Sequence, residues 1–140
     1  MAKQVRELMS EQPIKLSSSS PIIEAARRMR AANVGSIILE ENGRPCGIVT
    51  DRDIAIRAVA DGRDPQTTPL SEISSKDLTA VSPDDDVERA VQIMREKAIR
   101  RVLVVDSRNQ AVGILSLGDL ALERDSRSVL GQISAAPPNQ

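Results

Sequence analysis

Two short stretches of this chain carry groups that could grip a ligand. Residues 47–53 read GIVTDRD and residues 113–119 read GILSLGD. In both, a glycine and aliphatic residues lead to a hydroxyl residue, and an aspartate stands three positions further on. Thr50 and Asp53 thus correspond to Ser116 and Asp119. Where a strand runs into a helix, these groups permit two kinds of chemistry. One is local: hydroxyl and carboxylate exchange hydrogen bonds with backbone N–H groups as a capping box, with aspartate in place of glutamate. Negative charge is also favoured at a helix start. The other uses the same N–H groups and hydroxyl to hold an anion such as phosphate. The aspartate can then accept hydrogen bonds from the vicinal hydroxyls of a ribose. Asp53 and Asp119 could also serve an enzyme as bases, but no activated nucleophile or metal cluster accompanies them.

What the chain lacks narrows the choice. It contains no His, Phe, Tyr or Trp. Without histidine the commonest general acid/base and transition-metal ligand is missing, and without aromatic rings no side chain can stack on bases. No enzyme activity and no metal are expected. The 19 Lys and Arg are balanced by 20 Asp and Glu, a net charge of −1, which argues against a general grip on nucleic acid. No apolar run approaches the ~20 residues that span a bilayer, and MAKQVRELMSEQP lacks the apolar core of a signal peptide. The expectation is a cytoplasmic protein with neither nucleic-acid nor membrane partner. The one cysteine, Cys46, cannot form an intramolecular disulfide and is expected as a buried structural thiol.

A self-comparison supplies the elements that must position the two corners. IKLSSSSPIIEAARRMR at 14–30 falls on TAVSPDDDVERAVQIMR at 79–95. After one extra residue in a turn, GIVTDRDIA falls on GILSLGDLA. VRELMSEQP at 5–13 matches LSEISSKDL at 70–78 more faintly. Each repeat opens with a short strand, near Ile14–Leu16 or Thr79–Val81. A helix follows, with Ser20 as N-cap and Pro21 at the first helical position in one repeat, and Asp84–Asp86 at the same end in the other. Apolar residues at 22, 25, 26 and 29, and at 87, 90, 91 and 94, form matching helical stripes. Two strands joined by ENGRP or DSRNQ come next, then a helix beginning at the corner. The expected fold is mixed α/β (α+β): two pseudo-symmetric β-α-β-β-α repeats packed sheet to sheet. Repeats of roughly 60 residues are marginal alone and gain from sharing burial. The boundaries are expected at 5–64 and 70–130, with a connection at 65–69 and a partly disordered tail at 131–140.

This pattern resembles a pair of cystathionine-β-synthase (CBS) domains, a Bateman module, over about residues 5–130. The likeness rests on the stripes ending in Met29 and Met94, on VGSIIL and IRRVLVVD, and above all on GIVTDRD and GILSLGD. It is similar in particular to small stand-alone bacterial CBS-pair proteins. The resemblance implies a disc of two modules, with clefts between them that hold AMP, ADP, ATP or S-adenosylmethionine. It implies a non-catalytic regulatory module with no required cofactor, a homodimer, and an output to another, regulated protein. The alternative is a dimeric structural or interaction protein with no small-molecule ligand.

The resemblance also implies roles for residues. Asp53 and Asp119 would contact ribose, and Thr50 and Ser116 would lie near phosphate. Ile14, Lys15 and Leu16, and likewise Thr79, Ala80 and Val81, would border adenine. Arg100 and Arg101 would face phosphates, as a basic pair does in the γ subunits of AMP-activated protein kinase, a task suited to the planar guanidinium fork. Charges ahead of a buried strand also commonly face solvent, and that reading stays open. The first repeat departs from the pattern, with Gly35 and Ser36 in those two places. Arg52 and Lys15 are its candidate substitutes, so the two clefts are expected to differ. Met9 falls on Ser74, a difference that bears on the core or a dimer contact.

Overall fold

The computed structural model of the chain describes residues 3–11, 13–76 and 78–124. Helix α1 (Val5–Leu8) and strand β1 (Ser10–Glu11) precede β2 (Lys15–Ser17), α2 (Ile22–Ala32), β3 (Ser36–Glu41) and β4 (Arg44–Thr50). Helix α3 (Asp51–Asp53) continues without a break as a π-helix over Ile54–Val59. After a 3-10 turn at Leu70–Glu72 come β5 (Ala80–Val81), α4 (Val87–Lys97), β6 (Arg101–Val105), β7 (Ala111–Ser116) and α5 (Leu117–Arg124). The fold is mixed α/β, with one sheet in the order β2-β3-β4 and one in the order β1-β7-β6-β5. In each, a strand pairs parallel with the next across a helix, and that partner turns back antiparallel. The tail expected at 131–140 lies outside the described residues.

Local chemistry accounts for most of these elements. Ile37, Ile38 and Leu39 of β3 and Val102, Leu103 and Val104 of β6 are buried without interruption, as strands covered on both faces require. Asn42 and Gly43 both take positive φ, which makes the β3–β4 hairpin the two-residue type whose twist matches its strands. On α2, Ile22, Ala25 and Met29 are buried; on α4, Ala90 and Met94 are. Both helices end on a left-handed residue, Asn33 and Ala98.

The helix starts differ from expectation. Pro21, not Ser20, is the N-cap of α2, and neither α2 nor α4 is capped by a side chain. Backbone carbonyls do the work instead. The Ile22 N–H donates to Thr68 O at 3.1 Å and the Ile23 N–H to Pro65 O at 2.9 Å, while the Val87 N–H donates to Lys3 O at 2.9 Å. The connection therefore satisfies the donors that the Ser20 side chain was expected to take, and the N-terminal segment does the same at α4.

Contacts divide the chain into two compact bodies. One is Ile14–Leu78; the other joins the leading segment, through Pro13, to the chain from Thr79. The faintly matching segments have thus changed sides. Val5, from the start of the first repeat, is fully buried with Val81, Ala90, Met94, Val102 and Leu115 of the second. Leu70 and Ile73, from the start of the second, are fully buried with Ile22, Met29, Ile37 and Val49 of the first. The strand registers repeat the exchange: Ser10 lies opposite Ile114, and Ser75 opposite Ile48. This gives the motif glycines a structural role. A Cβ on Gly113 would meet Met9 Sδ at 2.7 Å and Ser10 O at 2.8 Å, and one on Gly47 would meet Ser75 O at 3.1 Å and Ser74 Oγ at 3.3 Å. The Met9/Ser74 difference is a packing difference above these glycines. Cys46 is half-buried against the first core.

Candidate functional site

Both corners form as capping boxes, each inside its own body. The Asp53 N–H donates to Thr50 Oγ1 at 3.1 Å, and the Thr50 N–H to Asp53 Oδ2 at 2.9 Å. The Asp119 N–H donates to Ser116 Oγ at 3.2 Å, and the Ser116 N–H to Asp119 Oδ2 at 2.9 Å. The sheets hold them in matching frames. Thr50 lies opposite Ser36 and Ser116 opposite Arg101. The Asp51 N–H donates to Gly35 O at 3.0 Å, and the Leu117 N–H to Arg100 O at 2.8 Å. Gly35 and Ser36 are therefore the structural counterparts of Arg100 and Arg101, as the sequence alignment expected.

At the second corner these residues make a site. Arg100, Arg101, Ser116, Leu117, Gly118 and Ala121 line an open recess of about 430 Å³, within the size range of small-molecule pockets. Two guanidinium groups, a hydroxyl and the start of an eight-residue helix share it, a set suited to an anion. Asp119 is not part of the lining; its Oδ2 is committed to the cap. Among the described residues, no partner is seen for the Gly118 N–H or for Asp119 Oδ1.

The first corner is closed on itself. Asp51 Oδ1 accepts the Arg52 N–H at 2.8 Å, and Arg57 Nε approaches Asp53 Oδ1 at 3.8 Å. The Asp51 carboxylate also stands over Gly35, where an added Cβ would meet Oδ2 at 3.2 Å. Arg52 is exposed, and Lys15 faces Glu40 at 3.7 Å.

The two strands expected beside adenine present few side chains. Leu16 and Val81 are buried in the two cores, and Ile14 packs against the first. The Ile14 and Thr79 carbonyls are used by the Ile38 and Leu103 N–H groups. Lys97 Nζ donates to Thr79 Oγ1 at 3.1 Å, and Ala80 is exposed. None of these six residues lines the recess at the second corner. Leu117, Gly118 and Ala121 were not singled out in the sequence. Only their place just after Ser116 could have marked them.

A CBS domain family model matches residues 5–59 and again 70–125. The chain belongs to the CBS domain family. It is 43% identical over 127 residues to the CBS domain-containing protein YhcV of Bacillus subtilis, covering 91% of this chain and 89% of that one. It is 32% identical to a Methanopyrus kandleri protein of which it spans 60%. A CBS domain protein from Pyrobaculum aerophilum, solved in complex with AMP, matches 96% of this chain and all of its own at 32% identity and a TM-score of 0.76. The CBS domain pair of protein MJ0100, in complex with methylthioadenosine and S-adenosyl-L-methionine, matches 91% of this chain and all of its own at 26% identity and a TM-score of 0.80. Among the described residues of this CBS protein, no helix is long and apolar enough to cross a membrane. Nor do three or more His, Cys, Asp or Glu residues come together there to hold a metal ion.

Proposed function

We propose that the chain is a non-catalytic, cytoplasmic regulatory module that binds an adenosine-type ligand (AMP, ADP, ATP or S-adenosylmethionine) and passes the bound state to a partner protein. The observation that carries this reading is the recess at the second corner, where Arg100, Arg101 and Ser116 converge on the start of α5. The AMP, methylthioadenosine and S-adenosylmethionine bound by related CBS pairs support the ligand class. A ligand shifts such a module only through unequal affinity for its states, and phosphate contacts made by Arg100 and Arg101 would provide a source of inequality. Asp119 lies outside the recess lining but keeps Oδ1 out of the cap, and that atom would accept a ribose hydroxyl.

Thermal unfolding followed by circular dichroism tests the reading, with AMP, ADP, ATP and S-adenosylmethionine in turn. A ligand at 100 times its Kd should add about 2.7 kcal/mol of stability. Loss of that gain in Arg101→Ala, with the unliganded transition unchanged, is the expected result. No gain with any of the four ligands sinks the reading.

One observation favours the alternative, a dimeric interaction protein. Ile56 and Val59 leave 49% and 73% of their surfaces exposed, three residues apart on the π-helix, and a partner that covered both would bury apolar area. A homodimer that keeps its partner affinity constant across all four ligands would support that reading.

A further inference from the structure

The two corners share a cap but not a charge. At the second, the Leu117 N–H is taken by Arg100 O and the Asp119 N–H by Ser116 Oγ. The Gly118 N–H between them has no acceptor among the described residues. Arg100 and Arg101 share the recess beside it. At the first corner the Asp51 and Asp53 N–H groups are taken in the same way. Here, however, the middle N–H, that of Arg52, donates to Asp51 Oδ1. The same carboxylate covers Gly35, the counterpart of Arg100.

A carboxylate of the chain thus occupies the place that an incoming phosphate would need, and it uses the donor that a phosphate would need. An approaching anion would meet a negative charge, no counterpart of the Arg100–Arg101 pair and no spare N–H. Like charge set against like charge in a binding site disfavours binding. Leu117, the counterpart of Asp51, does neither of these things. Its side chain carries no acceptor, and it lies 53% exposed at the mouth of the second corner.

We propose that Asp51 is a specificity determinant that fills the anion position of the first corner from within, so that the chain takes a phosphorylated adenosine ligand at its second corner alone. The inference rests on the nucleotide-binding reading above, and it goes further by assigning the phosphate to one corner and naming the residue that excludes it from the other.

Isothermal titration of the full chain with AMP tests it. The wild type should bind one AMP per chain. Leu117→Asp should copy the first corner onto the second and weaken AMP by about tenfold or more. Leu117→Asn, which makes the same change of size and polarity without the charge, should weaken AMP clearly less than Leu117→Asp does. The converse change, Gly35→Arg with Ser36→Arg and Asp51→Leu, should gain a second AMP. Circular dichroism of each variant separates lost binding from lost folding. Two AMP molecules of similar affinity on the wild type, or unchanged affinity in Leu117→Asp, overturns the proposal and leaves the nucleotide reading in place. No AMP bound by wild type or any variant overturns both.

Discussion

Ala98 ends α4 with φ 53° and ψ 44°, while its counterpart in α2 is Asn33 at φ 57° and ψ 46°. The left-handed region suits asparagine and glycine, but it sets an alanine Cβ against the following carbonyl at a cost of about 1–2 kcal/mol. Ala98→Gly should therefore stabilise the chain by about 1 kcal/mol. A thermal midpoint a few degrees higher, on the order of 2–6 °C for a chain of this size, is the expected reading, and a fall would contradict it. Cys46 offers a second test at this scale. Burial, and then the repulsion of Glu41, raises its thiol pKa above the ordinary value. With the folded value raised, this group's contribution to stability is full below the ordinary thiol pKa and is lost as pH climbs through the folded one. Alkylation by iodoacetamide should be slower in the native chain than in urea between about pH 7 and 9. Equal rates would show that the half-buried thiol is not shielded.

At the scale of elements, the glycines of GIVTDRD and GILSLGD report on what crosses above them. Gly113→Ala forces its Cβ against a methionine sulfur and a backbone oxygen, both under 3 Å away, whereas Gly47→Ala meets its neighbours a few tenths of an ångström further off. Gly113→Ala should cost about 1–3 kcal/mol and Gly47→Ala clearly less, as urea midpoints at constant slope would show. The reverse order would mean that the leading strands do not set the tolerance at these positions. Much of this level was readable from residues. IIL and VLVV mark their strands because β-branched and aliphatic runs act locally. The stripes at 22, 25, 29 and 90, 94 mark their helices, and the hydroxyl-x-x-Asp spacing marks both caps. The helix starts were not readable, because a carbonyl from Thr68 or Lys3 has no side-chain signature in the sequence. The same holds for the π-helix at Ile54–Val59: one additional residue in a hydrogen-bonded ring leaves the apolar pattern almost intact. Asp51 was passed over in the corner because the motif marks the hydroxyl and the second aspartate, while its own role depends on the space left free by Gly35.

At the scale of the whole molecule, the exchange of leading segments separates the unit of sequence from the unit of packing. Hydrogen exchange can show this directly. Val5→Ala removes a fully buried side chain at a cost of about 1–3 kcal/mol. It should speed exchange in β6 and β7 more than in β3 and β4, although β3 and β4 are nearer to it in sequence. Leu70→Ala should do the opposite, loosening β3 and β4 first. Equal loosening of both sheets by either variant would show that the two bodies do not open separately. The repeat itself was legible, but this exchange was not. The faint match of 5–13 to 70–78 shows that the segments are equivalent, not which body each joins, and burial at that point depends on contacts far along the chain.

The exchange also sets an order of events during synthesis. The body made of Ile14–Leu78 is a continuous piece of chain and can close once its last residue has left the ribosome. Val5 and Ser10 emerge before it, yet Leu115 and Ile114, against which they rest, are made roughly a hundred residues later, about 5–20 s at ordinary elongation rates. For that interval this apolar segment is without the residues it packs against. The polar residues that surround Val5 and Leu8 in MAKQVRELMSEQP favour a solvated segment until β7 is made and can pair with it.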